Sequence, residues 1–132
     1  MKIVQGFPPN IEKIKAKFNL TGKSPIFCWG EIIYYPGGTE LPEHLIVHES
    51  VHSEQQKEAG GPEIWWAQYL DDPGFRLSQE VTAYRAQYQF IKAHDSRQVR
   101  RQMLKFFATD LSSPMYGNLV SHDEAIKLIE NA

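Results

Sequence analysis

The sequence predicts one mostly helical α+β domain, with one or two short strands ahead of a helix that carries a metal-site motif. Three observations lead to this. At 132 residues the chain has the length of a single domain, enough to bury roughly two-thirds of its unfolded surface in one core. From Pro42 onward, apolar residues recur mainly at helical spacing. The stretch from Ile26 to Tyr35 is instead rich in aromatic and β-branched residues and closes on Pro36-Gly37-Gly38, as a strand would. No repeat or low-complexity linker divides the chain, so residues 1–132 are expected to form one domain.

Taken in order, residues 1–6 suit a short strand, followed by a turn at Pro8-Pro9-Asn10. Ile11, Ile14, Lys15 and Phe18 share one helical face, which predicts a first helix over about 9–19. Thr21-Gly22-Lys23-Ser24-Pro25 punctuates the chain before the strand at Ile26–Tyr35. Leu41-Pro42-Glu43 has the proline and early acid of a helix start, and Gly60-Gly61-Pro62 marks that helix's end. A second segment carries Ile64, Trp65, Trp66, Tyr69 and Leu70 up to a turn at Asp71-Asp72-Pro73-Gly74. The longest helix should run from about Arg76 to His94, and another from about 97 to 109 presents Val99, Met103, Phe106 and Phe107 on one side. Leu111–Asn118 reads as a loop, and Ser121-His122-Asp123-Glu124 as the capping box of a final short helix.

Composition narrows the function classes. With 14 Lys and Arg against 16 Asp and Glu, the chain lacks the concentrated positive field that phosphate backbones require, so nucleic acid is not an expected partner. Arg97, Arg100, Arg101 and Lys105 are spaced to occupy the solvent face of one helix. The lone Cys28 excludes an intrachain disulfide and, set in Ile26-Phe27-Cys28-Trp29, reads as a packing residue. Without a readable signal peptide or membrane-spanning segment, no membrane partner is expected and the cytoplasm is the default setting.

The chemistry concentrates in His48-Glu49-Ser50-Val51-His52, an H-E-x-x-H run on the predicted helix. Residues four apart lie on one helical side with their bases about 6 Å apart, so both imidazoles can meet one ion without bending the backbone. Glu49, rotated by about 100°, is placed to act as a base toward the open coordination position. The bland alternative is a solvated polar face, but the positions one turn from Glu49 are Leu45, Ile46, His52 and Ser53, which offer it no Lys or Arg.

A firm catalytic zinc site needs a third protein ligand. Glu58 stands where a longer H-E-x-x-H-x-x-G-x-x-H motif has its last histidine, but with Gln55 in place of the glycine the helix continues and Glu58 turns away. Glu80 is the better candidate, because it aligns with Ala83, Tyr84, Gln87, Tyr88 and Ile91 along an inward stripe. A carboxylate there needs compensation, from a metal ion or from Arg76 or Arg85. His94 and His122 fall at predicted helix edges, where caps and solvent contacts are common.

His48-Glu49-x-x-His52 followed by Gln79-Glu80-Val81-Thr82-Ala83-Tyr84 resembles the gluzincin metallopeptidases, in which a later helical glutamate completes the zinc site. The resemblance extends loosely from Ile26 to Gln87, and is strongest to small bacterial or phage members of the class. It implies a minimal zincin-like domain in which His48, His52 and Glu80 bind Zn2+ and Glu49 is the general base. The 27 residues between His52 and Glu80 leave room for an intervening helix. One departure is that Ala83 and Tyr84 stand where gluzincins often have a Ser-Asp pair, which leaves open what orients the histidines.

The expected activity is hydrolysis of peptide bonds in a peptide or protein substrate, with Glu49 taking a proton from water and delivering it to the leaving amine. Tyr116, on a glycine-containing loop, is the first candidate to stabilise the tetrahedral intermediate, with Tyr34, Tyr84 and His122 as rivals. The strand at Ile26–Tyr35 could offer an edge to an extended peptide, and Trp65 and Trp66 could line a cleft, although adjacent helical residues diverge enough that at least one should pack in the core. Two other classes share this ligand set: a zinc-stabilised binding or regulatory protein without activity, and a metal-dependent amidase with a closed cup in place of an open groove.

Overall fold

The computed structural model describes residues 1–22 and 24–130, so Lys23, within the expected punctuation at Thr21–Pro25, lies outside the described residues. The order of elements is β1 (Lys2–Val4), α1 (Ile11–Lys17), β2 (Phe27–Trp29), β3 (Ile32–Tyr34), α2 (Glu43–Ala59), α3 (Pro62–Asp71), α4 (Pro73–His94), α5 (Arg97–Leu111), a 3-10 turn at Pro114–Tyr116, and α6 (His122–Glu130). This is the mostly helical α+β arrangement that the sequence predicts, with the sheet ahead of the motif helix.

The stretch read as one strand is a hairpin. β2 and β3 pair antiparallel with Phe27 opposite Tyr34 and Trp29 opposite Ile32, which leaves Gly30 and Glu31 as a two-residue turn. Gly30 adopts φ +63°, the left-handed value that a glycine accommodates at the first position of a II′ hairpin turn. Apolar composition along Ile26–Tyr35 marks the strands but cannot show the reversal, because the turn is carried by one glycine inside the run. β1 adds in parallel to β3, Ile3 opposite Ile33, giving the order β1-β3-β2 with the fully buried Ile33 on the central strand.

α2 begins after Pro42 and ends in a Schellman motif: Gly60 takes φ +99°, its N–H bonds the Lys57 carbonyl, and the Gly61 N–H bonds the Gln56 carbonyl. α4 starts one turn earlier than the sequence reading places it. Asp72 is the N-cap, its carboxylate accepting from the N–H groups of Gly74 and Phe75, and Pro73 is the first helical residue, so the apparent turn is a helix start. The capping box of α6 forms as read, with Ser121 Oγ accepting from Glu124 N–H and the Glu124 carboxylate accepting from Ser121 N–H.

Two apolar clusters flank the centre. One joins α1, the sheet and α3 through Ile14, Phe27, Trp65, Trp66 and Tyr69. The other joins α4, α5 and α6 through Ile91, Phe107, Leu111 and Ile129. α2 and α4 pack on each other more extensively than any other pair of elements, and their facing surfaces carry polar groups between the two clusters.

Candidate metal centre

α2 contributes His48, Glu49 and His52 to this seam and α4 contributes Glu80; all four are buried, with relative exposures of 7%, 6%, 4% and 7%. His48 Nε2 lies 2.9 Å and His52 Nε2 3.0 Å from the same oxygen, Glu80 Oε1. The helical spacing of four stacks the two rings, whose centroids are 4.9 Å apart, and α4 brings Glu80 across to close the triangle. Glu49 Oε2 stands 3.8 Å from His48 Nε2, outside hydrogen-bond reach, and the ligand atoms of His48, Glu49 and His52 all fall within 4.8 Å of one another.

The far sides of both rings are held by glutamines. His52 Nδ1 faces Gln55 Oε1 at 2.8 Å, and Gln55 Nε2 donates to the Gln79 backbone carbonyl at 3.0 Å. A carbonyl can only accept, so the Gln55 amide is oriented with its oxygen toward His52, which makes Nδ1 the protonated nitrogen. His48 Nδ1 faces Gln87 Oε1 at 2.8 Å, and the other end of the Gln87 amide reaches His44 Nδ1 at 2.7 Å. With Nδ1 protonated, a neutral His52 ring aims its Nε2 lone pair at a carboxylate oxygen. Lone pair against lone pair is repulsive unless a cation or a further proton sits between them.

The donor set fits a divalent ion. In a tetrahedral zinc site, neighbouring ligand atoms lie about 3.3 Å apart, so the two Nε2–Oε1 separations of 2.9 and 3.0 Å need to open by only a few tenths of an ångström. Two imidazole nitrogens and one carboxylate oxygen, with outer N–H groups bonded, are a recurrent zinc environment. The side-chain amides of Gln55 and Gln87 are the groups that orient the two rings.

Electrostatics follow the same geometry. Burial opposes the charged form of His52, but the facing Glu80 carboxylate outweighs it and, with Gln55, raises the imidazole to about 9. Glu80 is buried too, yet His52 and His48 hold its carboxyl well below the usual range. Its second oxygen accepts from Tyr69 at 2.5 Å, and burial beside that carboxylate keeps the phenol protonated. Glu49 differs: burial pushes it up from 4.5, the two histidines only partly offsetting this, and among the described residues no Lys or Arg pairs with it. The structural alternative for Glu80 is not realised, because Arg76 donates to the Met115 carbonyl and Arg85 to the Leu128 carbonyl.

Compared with known proteins, the chain matches no family model, no curated protein and no solved structure. The reading of the site therefore rests on its own residues.

The four residues border a cavity of about 530 Å³. Tyr116 lines it but is 3% exposed, and its hydroxyl donates to Asp110 at 3.3 Å, so the phenol is engaged within the wall. Tyr84 also donates to Asp110, at 2.5 Å, and lays its ring edge-on to His48 with centroids 4.6 Å apart. Tyr34 sits in the sheet, while His122 and His94 are exposed, His94 bonding the Phe90 carbonyl. Glu58 is exposed as its helical phase requires. Both tryptophans are buried and line the cavity, Trp65 against the His52 ring and Trp66 donating to the Cys28 carbonyl. That carbonyl also accepts from Gln56, so an extended peptide along β2 would find this edge acceptor already filled. Cys28 is buried, its thiol pushed up by burial and by Glu49, in keeping with a packing role.

Sequence reasoning missed the supporting groups. His44 lies one turn before His48, so its place in an i, i+4, i+8 series with His52 was legible; Gln55 lies three residues after His52, and Gln87 lies on the Glu80 stripe. Tyr69 and Asp110 come from other helices, and no local pattern announces them.

Proposed function

We propose that the chain is a zinc-dependent hydrolase of peptide or related amide bonds, with His48, His52 and Glu80 as metal ligands. The observation that carries this reading is the convergence of two Nε2 atoms, each with its Nδ1 tied to a glutamine, on one oxygen of Glu80. Zinc at this position would supply the positive charge that polarises a carbonyl and acidifies water. Glu49 is the base: it is buried beside the ligands, has no cationic partner among the described residues, and its raised proton affinity suits a group that takes a proton from water and returns it to the leaving amine.

The cavity's volume of about 530 Å³ supports short peptides as substrates, since pockets of roughly 300–1,000 Å³ enclose drug-sized ligands. The same observation supports a metal-dependent amidase as the second reading, because a cup of this size also takes a small amide. A short-peptide and amino-acid-amide library offered to zinc-loaded wild type and Glu49→Gln tests the proposal. Turnover by wild type and its loss in a Glu49→Gln protein with full zinc supports it; no turnover in either at full zinc points to a binding or regulatory role.

A further inference from the structure

Asp110, on α5, lines the cavity but has no part in the hydrolysis outlined above. Its Oδ2 accepts from both Tyr84 and Tyr116, so the carboxylate is held in place by two phenols and by no Lys or Arg among the described residues. Three carboxylates, Glu49, Glu80 and Asp110, line the cavity, and among the described residues neither a lysine nor an arginine does. Arg76, the one lysine or arginine buried among the described residues, does not line the cavity; it lies over the Phe18 ring at 4.9 Å and donates to the Met115 carbonyl.

With all three ionised, a divalent ion offsets two of these charges and leaves one, in a site where burial pushes the Asp110 carboxyl up from its ordinary value. An uncompensated carboxylate there is costly, and a cationic group on the ligand would relieve it. Position agrees with charge: Tyr84 touches His48 with its ring and Asp110 with its hydroxyl, so the carboxylate sits one phenol away from the metal ligands. That is the scale of one amino-acid residue, about 3.6 Å at full extension, with a polar contact at each end. Much of the remaining wall is apolar, including Phe18, Phe27, Met103 and Phe107, and Phe106 is 66% exposed while also lining the cavity.

Resting on the hydrolase reading, we propose that Asp110 binds the free α-ammonium group of the substrate. The site then takes short peptides or amino-acid amides with an unblocked amino terminus and an apolar first side chain. The phenols of Tyr84 and Tyr116 fix the carboxylate in place and are positioning residues.

The test is calorimetric binding of leucinamide and N-acetylleucinamide to zinc-loaded protein, wild type and Asp110→Asn, with zinc content measured on the same samples. Wild type should favour leucinamide by at least about tenfold, and Asp110→Asn should bring the two to near parity without loss of zinc. Equal or tighter binding of the acetylated ligand by wild type overturns the proposal, and that comparison decides even where Asp110→Asn fails to fold. A preference that survives Asp110→Asn also overturns it, because the amine is then held by the ion. Asp110-dependent binding of N-acetyl-lysinamide without binding of leucinamide overturns it as well, moving the charge to a side chain. Turnover of leucyl peptides, followed in parallel, separates the two claims: an Asp110-dependent preference without cleavage sinks hydrolysis alone, and cleavage restricted to blocked peptides sinks the ammonium site alone.

Discussion

Glu80 Oε1 lies 3.0 Å from His52 Nε2, and the opposite nitrogen of that ring is fixed as a donor by Gln55. The contact is therefore an ion pair when His52 is protonated, and a site for a cation when it is not. Metal and proton compete for one place.

The metal-free protein should accordingly show a pH-dependent stability set by this pair. His52 is raised from 6.5 to about 9, so its contribution is complete below about 6.5 and is lost as pH rises through 9. Glu80 is depressed from 4.5, so its contribution is present above that value and is lost as pH falls. Thermal melts in the presence of a chelator should fall between pH 7 and 10, and the fall should shrink in Glu80→Gln. A wild-type alkaline limb no steeper than that of Glu80→Gln contradicts the pairing.

Gln55 would act on a bound metal ion only through His52, whose Nδ1 it faces. Gln55→Leu should leave the helix intact, since position 55 is half-buried on α2, but it removes the acceptor that fixes the tautomer. Zinc affinity should fall by about 10- to 100-fold, the usual loss for such partners. Gln55→Glu, which restores an acceptor, should recover most of it. Equal affinity in wild type and Gln55→Leu, measured by chelator competition, would show that the ring needs no such support.

Tyr69 holds the second oxygen of Glu80 and stacks on Trp65 with centroids 4.7 Å apart. Tyr69→Phe keeps the stacking and removes one hydrogen bond to a charged group, worth about 1.5–3 kcal/mol in a buried setting. Urea unfolding of the metal-free protein should register a loss of that order, and Tyr69→Leu a larger one because the ring is buried in the aromatic cluster. Identical midpoints for wild type and Tyr69→Phe would count against the bond.

The turn that divides the expected strand has its own signature. Gly30 has φ +63° and open space where a Cβ would lie, so Gly30→Ala imposes backbone strain without a clash. A loss of about 1–2 kcal/mol is expected. Because β2 lines the cavity and bonds Gln56, that loss should come with weaker ligand binding. Unchanged stability would place the hairpin turn elsewhere.

Much of this architecture was legible because it is local. The H-E-x-x-H spacing, the stripe carrying Glu80, Gly60-Gly61 at the end of α2 and the Ser121–Glu124 box each operate within a few residues, and each reads the same way in the structure. The Gly30 turn and the start of α4 at Pro73 were hidden by their neighbours: an apolar run masks a single glycine, and Asp72-Pro73 serves a turn or a helix start equally well. Tyr69 and Asp110 were not readable as partners of the site, because packing between helices, rather than spacing along one, brings them there.

The central claim is that His48, His52 and Glu80 together hold a metal ion, and zinc affinity by chelator competition tests it most directly. Wild type should bind one zinc per chain, and Glu80→Ala should bind it more weakly by more than about 100-fold, exceeding the loss expected for an outer partner. Wild-type affinity in Glu80→Ala, or no zinc bound by a folded wild-type chain, would contradict the account.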